Sequence, residues 1–171
     1  MMAWVDDQLD FVVAQCACEL TINDPTARDD AGKPVRIIRR AETNPGDLIA
    51  DAFRARSGAE VGVACAGGIR MGLQKDKNGL FTGVEGAYRV RNVMIWGEPL
   101  EMDRIYTLAS QDFTLINHGD GQTAFDGART IWQADVPDYG VVAEYLHEDL
   151  DGIVGEDYAN PYGQGRIVAV G

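Results

Sequence analysis

The stretch "TNPGDLIADAFRARSG", residues 43 to 58, constrains the fold more than any other part of the chain. Asn44 is suited to cap a helix, Pro45 to the first helical position, where no N–H is needed, and Asp47 to the positive end of the helix dipole. Leu48, Ile49, Ala52 and Phe53 recur at helical spacing, and Gly58 is the expected stop. A helix with one apolar face needs a layer to lie against. Strands are expected on either side, in "CELTIND" (18–24) and "EVGVACA" (60–66), with "PTARDDAGKP" (25–34) an exposed loop.

The remaining segments mix the two periods. Trp4, Leu9, Val12 and Val13 suggest a short amphipathic helix over residues 4 to 15, so that residues 1–16 read as a leading helix or interdomain linker remnant before a domain at 17–171. A strand from Tyr88 to Trp96, a turn at Gly97-Glu98-Pro99 and a second strand in "RIYTLASQ" (104–111) are expected. A helix near "VVAEYLHEDL" (141–150) and a last strand in "RIVAVG" (166–171) complete the pattern, while residues 71–86 are turn-rich and poorly patterned. Helices and strands do not alternate strictly, which favours an α+β fold, a layered mixed α/β domain, over a doubly wound sheet.

A formal net charge of −12 on 171 residues repels nucleic acid and anionic membranes at long range, so an anionic ligand must be bound by local groups. There is no apolar run long enough for a membrane span, and "MMAWVDDQLDFVV" lacks the basic region and unbroken apolar stretch of an export signal. Three cysteines, Cys16, Cys18 and Cys65, cannot close into a set of disulfides, and "CAC" does not have the spacing of a zinc pair; core or half-buried thiols are the expectation.

Catalytic equipment is scarce. His147 lies among acids in "EYLHEDL" and is expected at the surface. His118 in "NHGD" has neither a D-x-H nor an H-x-H element with which to build a di-metal centre. "DKNG" (76–79) departs from a calcium loop at its ligand positions, and neither a G-x-S-x-G elbow nor a P-loop is present. No cofactor or metal is expected in this chain.

Groups suited to binding are better represented. In "CAGGIR" (65–70), Gly67 and Gly68 leave backbone N–H groups approachable, and Arg70 offers a planar fork of donors to a phosphate or carboxylate. A plain strand-ending turn is the simpler reading of that segment alone. Arg39 and Arg40 precede the capped helix and could converge on the same place. In "DFTLINHGDG" (112–121), Phe113 offers a ring for stacking and Asp120 a carboxylate for a ribose diol, against the simpler reading of an Asp-Gly turn and a core aromatic.

These same residues carry a family resemblance. "RRAETNPGDLIADAFRARSGAEVGVACAGGIR" resembles R-x-x-E-T-N-x-G-x-L-I-A-D-A followed by a strand and N-x-G-G-I-R, the pattern of the C-terminal, substrate-binding domain of bacterial 5′-nucleotidases, a group that includes UDP-sugar hydrolases and 2′,3′-cyclic phosphodiesterases. "YRVRNVMIWGEPLEMDRIYTLASQDFTLINHGDGQTAF" resembles the second half of that domain through its G-x-P-L, Y-x-(V/L)-A and G-G-D-G elements, and "YANPYGQGRIV" fits the bacterial tail.

The resemblance implies a fold of the 5′-nucleotidase C-terminal type that grips a nucleoside or nucleotide. Hydrolysis and two divalent metal ions would belong to a separate metallophosphoesterase domain, leaving this chain inactive alone. It further implies that Arg39 and Arg70 bind anionic substrate groups beside Gly67 and Gly68, that Asp120 meets the ribose hydroxyls, and that Phe113 is one face of an aromatic sandwich around the base. Members are commonly exported or attached to the cell surface. Three departures stand out: Cys65 replaces a base-contacting Asn, His118 replaces the first Gly of G-G-D-G, and the family segment after Arg70, with G-x-I-T and the strand that supplies the second aromatic, is missing. The alternative is a structural remnant that has lost nucleotide binding and covers its exposed faces as a homo-oligomer.

Overall fold

The computed structural model describes residues 13–69, 94–119 and 123–167. Its centre is helix α1, Asn44–Ser57. The stop is as expected: Gly58 adopts the left-handed conformation at φ 68° and donates its N–H to Ala55 O. The start differs by one residue, because Thr43 holds the extended N-cap conformation and Asn44 is already helical. Asn44 is instead only 1% exposed, and its amide accepts from Thr21 N (3.1 Å) while donating to Glu19 O and Tyr158 O (both 2.7 Å). A side chain that could have capped its own helix ties three chain segments together.

Leu48 and Ala52, one turn apart on α1, pack into a core with Leu20, Tyr145, Val154 and Tyr158. Ile49 turns toward a second cluster, Ile22, Ile38 and Ile69. Burying an aliphatic side chain such as Leu48 contributes about 1.5–3 kcal/mol, so these two clusters fix the helix between its neighbours. The polar side is held as well, since Arg56 in the last turn reaches Glu148 (2.6 Å), Glu144 (3.1 Å) and Asp149 (3.5 Å).

Strands are short and pair in twos. β1 (Gln15–Cys16) runs parallel to β8 (Ile153–Val154), and β4 (Val61–Gly62) runs parallel to β7 (Leu108–Ala109). β2 (Asn23–Arg28) and β3 (Pro34–Arg36) form an antiparallel hairpin. β5 (Met94–Ile95) and β6 (Glu98–Pro99) form another, turning through Trp96 and Gly97 at φ 56° and 80°. The Arg54 guanidinium lies 5.1 Å over the Trp96 ring and fastens this hairpin to α1.

Several sequence expectations shift. Residues 25–34 are not a featureless loop: Asp24 Oδ1 accepts from Thr26 N and Ala27 N, Asp29 Oδ1 accepts from Ala31 N and Lys33 N, and these side-chain bonds shape an exposed hairpin without an apolar pattern. Within "CELTIND", only Asn23 and Asp24 join a strand, because Thr21 N is bonded by the Asn44 side chain instead of a ladder partner. The expected helix over 4–15 lies outside the described residues up to residue 12, and Gln15 belongs to β1. Of "RIVAVG", Arg166 and Ile167 are not in a strand and the rest lies outside the described residues, as does the expected strand from Tyr88 through Val93.

The expected second helix is present as α3, Asp138–Glu144, after the short α2, Asp112–Leu115. It widens into a π-helical turn at Tyr145–Asp149, and Asp151 and Gly152, at φ 50° and 73°, redirect the chain into β8. Among the described residues, no helix is long and apolar enough to cross a membrane.

Candidate functional site

The Gly-Gly segment is a tight turn that follows β4. Gly68 N donates to Cys65 O (2.9 Å), Ile69 is buried in the second core cluster, and the Arg36 guanidinium holds Ile69 O at 2.6 Å. Arg39, twenty-eight residues earlier in the chain, lies directly against this turn: a Cβ built on Gly67 would stand 2.7 Å from Arg39 Nη2. Glycine is therefore required at 67 for the guanidinium to rest where it does. The sequence-predicted residues Arg39, Gly67 and Gly68 come together, and Arg39 itself is exposed.

Gln111 joins this turn to the next element. Its Oε1 accepts from Cys65 N (3.2 Å), its Nε2 donates to Asp138 Oδ2 (2.7 Å), and a Cβ at Gly68 would meet that Nε2 at 3.5 Å. Gln111 precedes α2, so the glycine turn and Phe113 are held by one short span of chain. Nothing in the local sequence singles out this glutamine, whose partners are 46 and 27 residues away.

Phe113 is 48% exposed and borders a broad open cleft of about 1680 Å³. Ile116, Ile131, Trp132 and Val136 give the cleft an apolar wall. The Phe113 ring rests on the backbone of Gly119, where any Cβ would overlap it. His118 is held at φ 51° and its Nε2 lies 2.8 Å from Asp126 Oδ1. Two predicted site residues, Arg70 and Asp120, lie outside the described residues.

A second polar centre lies at the start of α1 and was not foreseen. Arg166 grips Asp51 through two parallel bonds of 2.8 Å, and Asp51 also accepts from Tyr158 OH (2.8 Å), which meets Tyr145 OH at 3.0 Å. Glu42 accepts from the backbone N–H groups of Gln164 and Ile167. Asp47 shares the Gln164 N–H, and a Cβ on Gly163 would stand 2.6 Å from its Oδ2.

The environment separates the two carboxyls. Burial and the adjacent Glu42 charge push Asp47 up to about 7, against a smaller opposing pull from Arg166. Burial also works against Glu42, but the N–H donors of Ile167, Arg166 and Gln164 outweigh it and hold Glu42 below the usual range. Burial and the bonds to Tyr145 and Asp51 raise the Tyr158 phenol. These oxygens are consumed by the 163–167 segment and by the tyrosines, so the centre acts as a tie between α1 and the end of the chain. Its sequence signal is modest: three acids, Glu42, Asp47 and Asp51, just before and along the first half of an amphipathic helix.

Among the described residues, no three His, Cys, Asp or Glu side chains converge as a metal-ligand set. Comparison with protein-family models, with curated proteins and with solved structures gave no match to this chain.

Proposed function

We propose that this chain is a nucleoside- or nucleotide-binding domain of the 5′-nucleotidase C-terminal type, which grips substrate while a separate di-metal phosphoesterase domain hydrolyses the phosphate ester. The observation that carries this reading is the approach of Arg39 to Gly67. Two motif elements far apart in sequence meet with a guanidinium beside a glycine backbone, an arrangement suited to a phosphate or another anion. Phe113, held through Gln111 on the same span of chain, presents a ring on which a base can stack at about 1–3 kcal/mol. Asp120 accepts from the ribose diol in this reading, and Arg70 adds a second cation; both roles rest on the resemblance.

Calorimetric titration with AMP and with adenosine tests the reading. AMP should bind, Arg39→Ala should weaken AMP more than adenosine, and Phe113→Ala should weaken both. A wild-type chain indifferent to both ligands at millimolar concentration overturns it.

The apolar wall of the cleft favours a second reading, a homo-oligomerising remnant without nucleotide binding. Ile105 is 93% exposed there and Ile131 66%, an arrangement that stable association would cover. An obligate oligomer by light scattering, with no heat on AMP addition, would select this reading over the first.

A further inference from the structure

Cys16 and Cys18 stand apart from both centres described above. The backbone on either side of Cys16 is pinned to β8 and its approach, by Gln15 N donating to Gly152 O (2.7 Å) and Ala17 N donating to Val154 O (3.0 Å). The chain then bends at Ala17 and Cys18. The bend lets the Cys16 thiol curl forward to Cys18 O at 2.7 Å, while the Cys18 thiol lies 3.5 Å from Gly155 O. Cys16 is exposed, and Cys18 is half-buried against the main core. The 2.7 Å bond to Cys18 O sets the Cys16 thiol against the residue that carries the second thiol, two positions on; burial raises the Cys18 thiol, and the facing Cys16 side chain raises it further. Both are free thiols on a backbone fixed by strand pairing.

From this geometry we infer that Cys16 and Cys18 form a redox-active dithiol which closes into an intramolecular disulfide by exchange with a low-molecular-weight disulfide such as oxidised glutathione. The exposed Cys16 thiolate attacks one sulfur of the glutathione disulfide and releases one glutathione thiolate. The Cys18 thiolate then attacks the Cys16 sulfur of the mixed disulfide and releases the second. The protein dithiol loses two electrons and two protons, and one glutathione disulfide becomes two glutathione thiols. Cys18 is the resolving thiol because it is half-buried against the core, whereas Cys16 is exposed to the incoming disulfide. A ring spanning only Ala17 is tight, which places such a couple among the more easily reduced disulfides. Closure also withdraws the Cys16 thiol from Cys18 O and the Cys18 thiol from Gly155 O, next to the β1–β8 pairing.

Mass spectrometry of the full chain after equilibration with oxidised glutathione and alkylation tests the inference. The expected product has lost two hydrogens, carries the alkyl group on Cys65 alone, and yields a peptide with Cys16 linked to Cys18. Cys18→Ser should arrest as a stable glutathione adduct on Cys16, and Cys65→Ser should leave the closure unchanged. Glutathione adducts retained on both Cys16 and Cys18, a bond from either of them to Cys65, or full alkylation of both under conditions that oxidise a free dithiol peptide of the same segment would overturn it.

Discussion

Glu42 and Asp47 share one proton donor: the backbone N–H of Gln164 points at Glu42 Oε1 (2.5 Å) and Asp47 Oδ2 (2.9 Å) at once. Two carboxylates converging on a single N–H repel each other when both are ionised, and the surroundings resolve the conflict by leaving the proton on Asp47.

The first prediction is a stability maximum in mildly acidic solution. Folded Asp47 keeps its proton up to about pH 7, whereas an unfolded aspartate releases it near its ordinary value of 3.8. The folded state binds more protons between these values, so the contribution of Asp47 is complete below the unfolded value and is lost as pH rises through 7. Glu42 has the opposite sign: its contribution is present above the unfolded value of 4.5 and is lost as pH falls through its lower folded value. The melting temperature should therefore fall from pH 5 to pH 8 by roughly 2–8 °C, corresponding to about 1–2 kcal/mol in a domain of this size. Asp47→Asn should flatten that decline. A melting temperature that holds or rises over the interval, and does so equally in Asp47→Asn, contradicts the assignment.

Asn44 supplies the second prediction. As an exposed N-cap, it could be replaced by Ser or Asp at little cost and by Ala at about 1 kcal/mol. Buried between Thr21 N, Glu19 O and Tyr158 O, it behaves differently. Asn44→Ala orphans all three backbone groups and should cost about 3 kcal/mol or more. Asn44→Asp keeps the acceptor for Thr21 but sets a carboxylate oxygen against two carbonyls, and should cost at least as much as Ala. Equilibrium urea unfolding measures both; rescue by Asp would return Asn44 to an ordinary cap.

How far the sequence revealed this arrangement depends on how local each signal was. Helix α1 was legible because Pro45 and Gly58 act within one turn of their own positions. The role of Asn44 was hidden because its partners lie up to 114 residues away. The strands are shorter than the apolar stretches that mark them, because Val61–Gly62 and Leu108–Ala109 pair over only two residues. At the candidate site, the motif order led to an expected convergence of Arg39 with Arg70, which lies outside the described residues, while the contact of Arg39 with Gly67 is visible only in the fold. Gln111 and the Glu42–Asp47 pair were missed because each is defined by what it touches across the fold.

The last prediction separates binding from stability at Gly67. No left-handed backbone is required there, so alanine fits the local conformation. Its Cβ would nevertheless stand 2.7 Å from Arg39 Nη2, the far end of a flexible side chain that can swing away. Gly67→Ala should consequently change folding stability by less than about 0.5 kcal/mol, in the range of a surface substitution. Under the proposed function, the displaced guanidinium loses a charge-assisted bond to the AMP phosphate, which should weaken AMP about 10- to 100-fold. Adenosine, with no phosphate for Arg39 to hold, should be affected far less. Calorimetry on both ligands, with a urea curve on the same preparation, reads the two effects apart. Equal loss for AMP and adenosine would move Arg39 away from the phosphate, and a large loss of stability would make Gly67 a packing residue instead of a binding one.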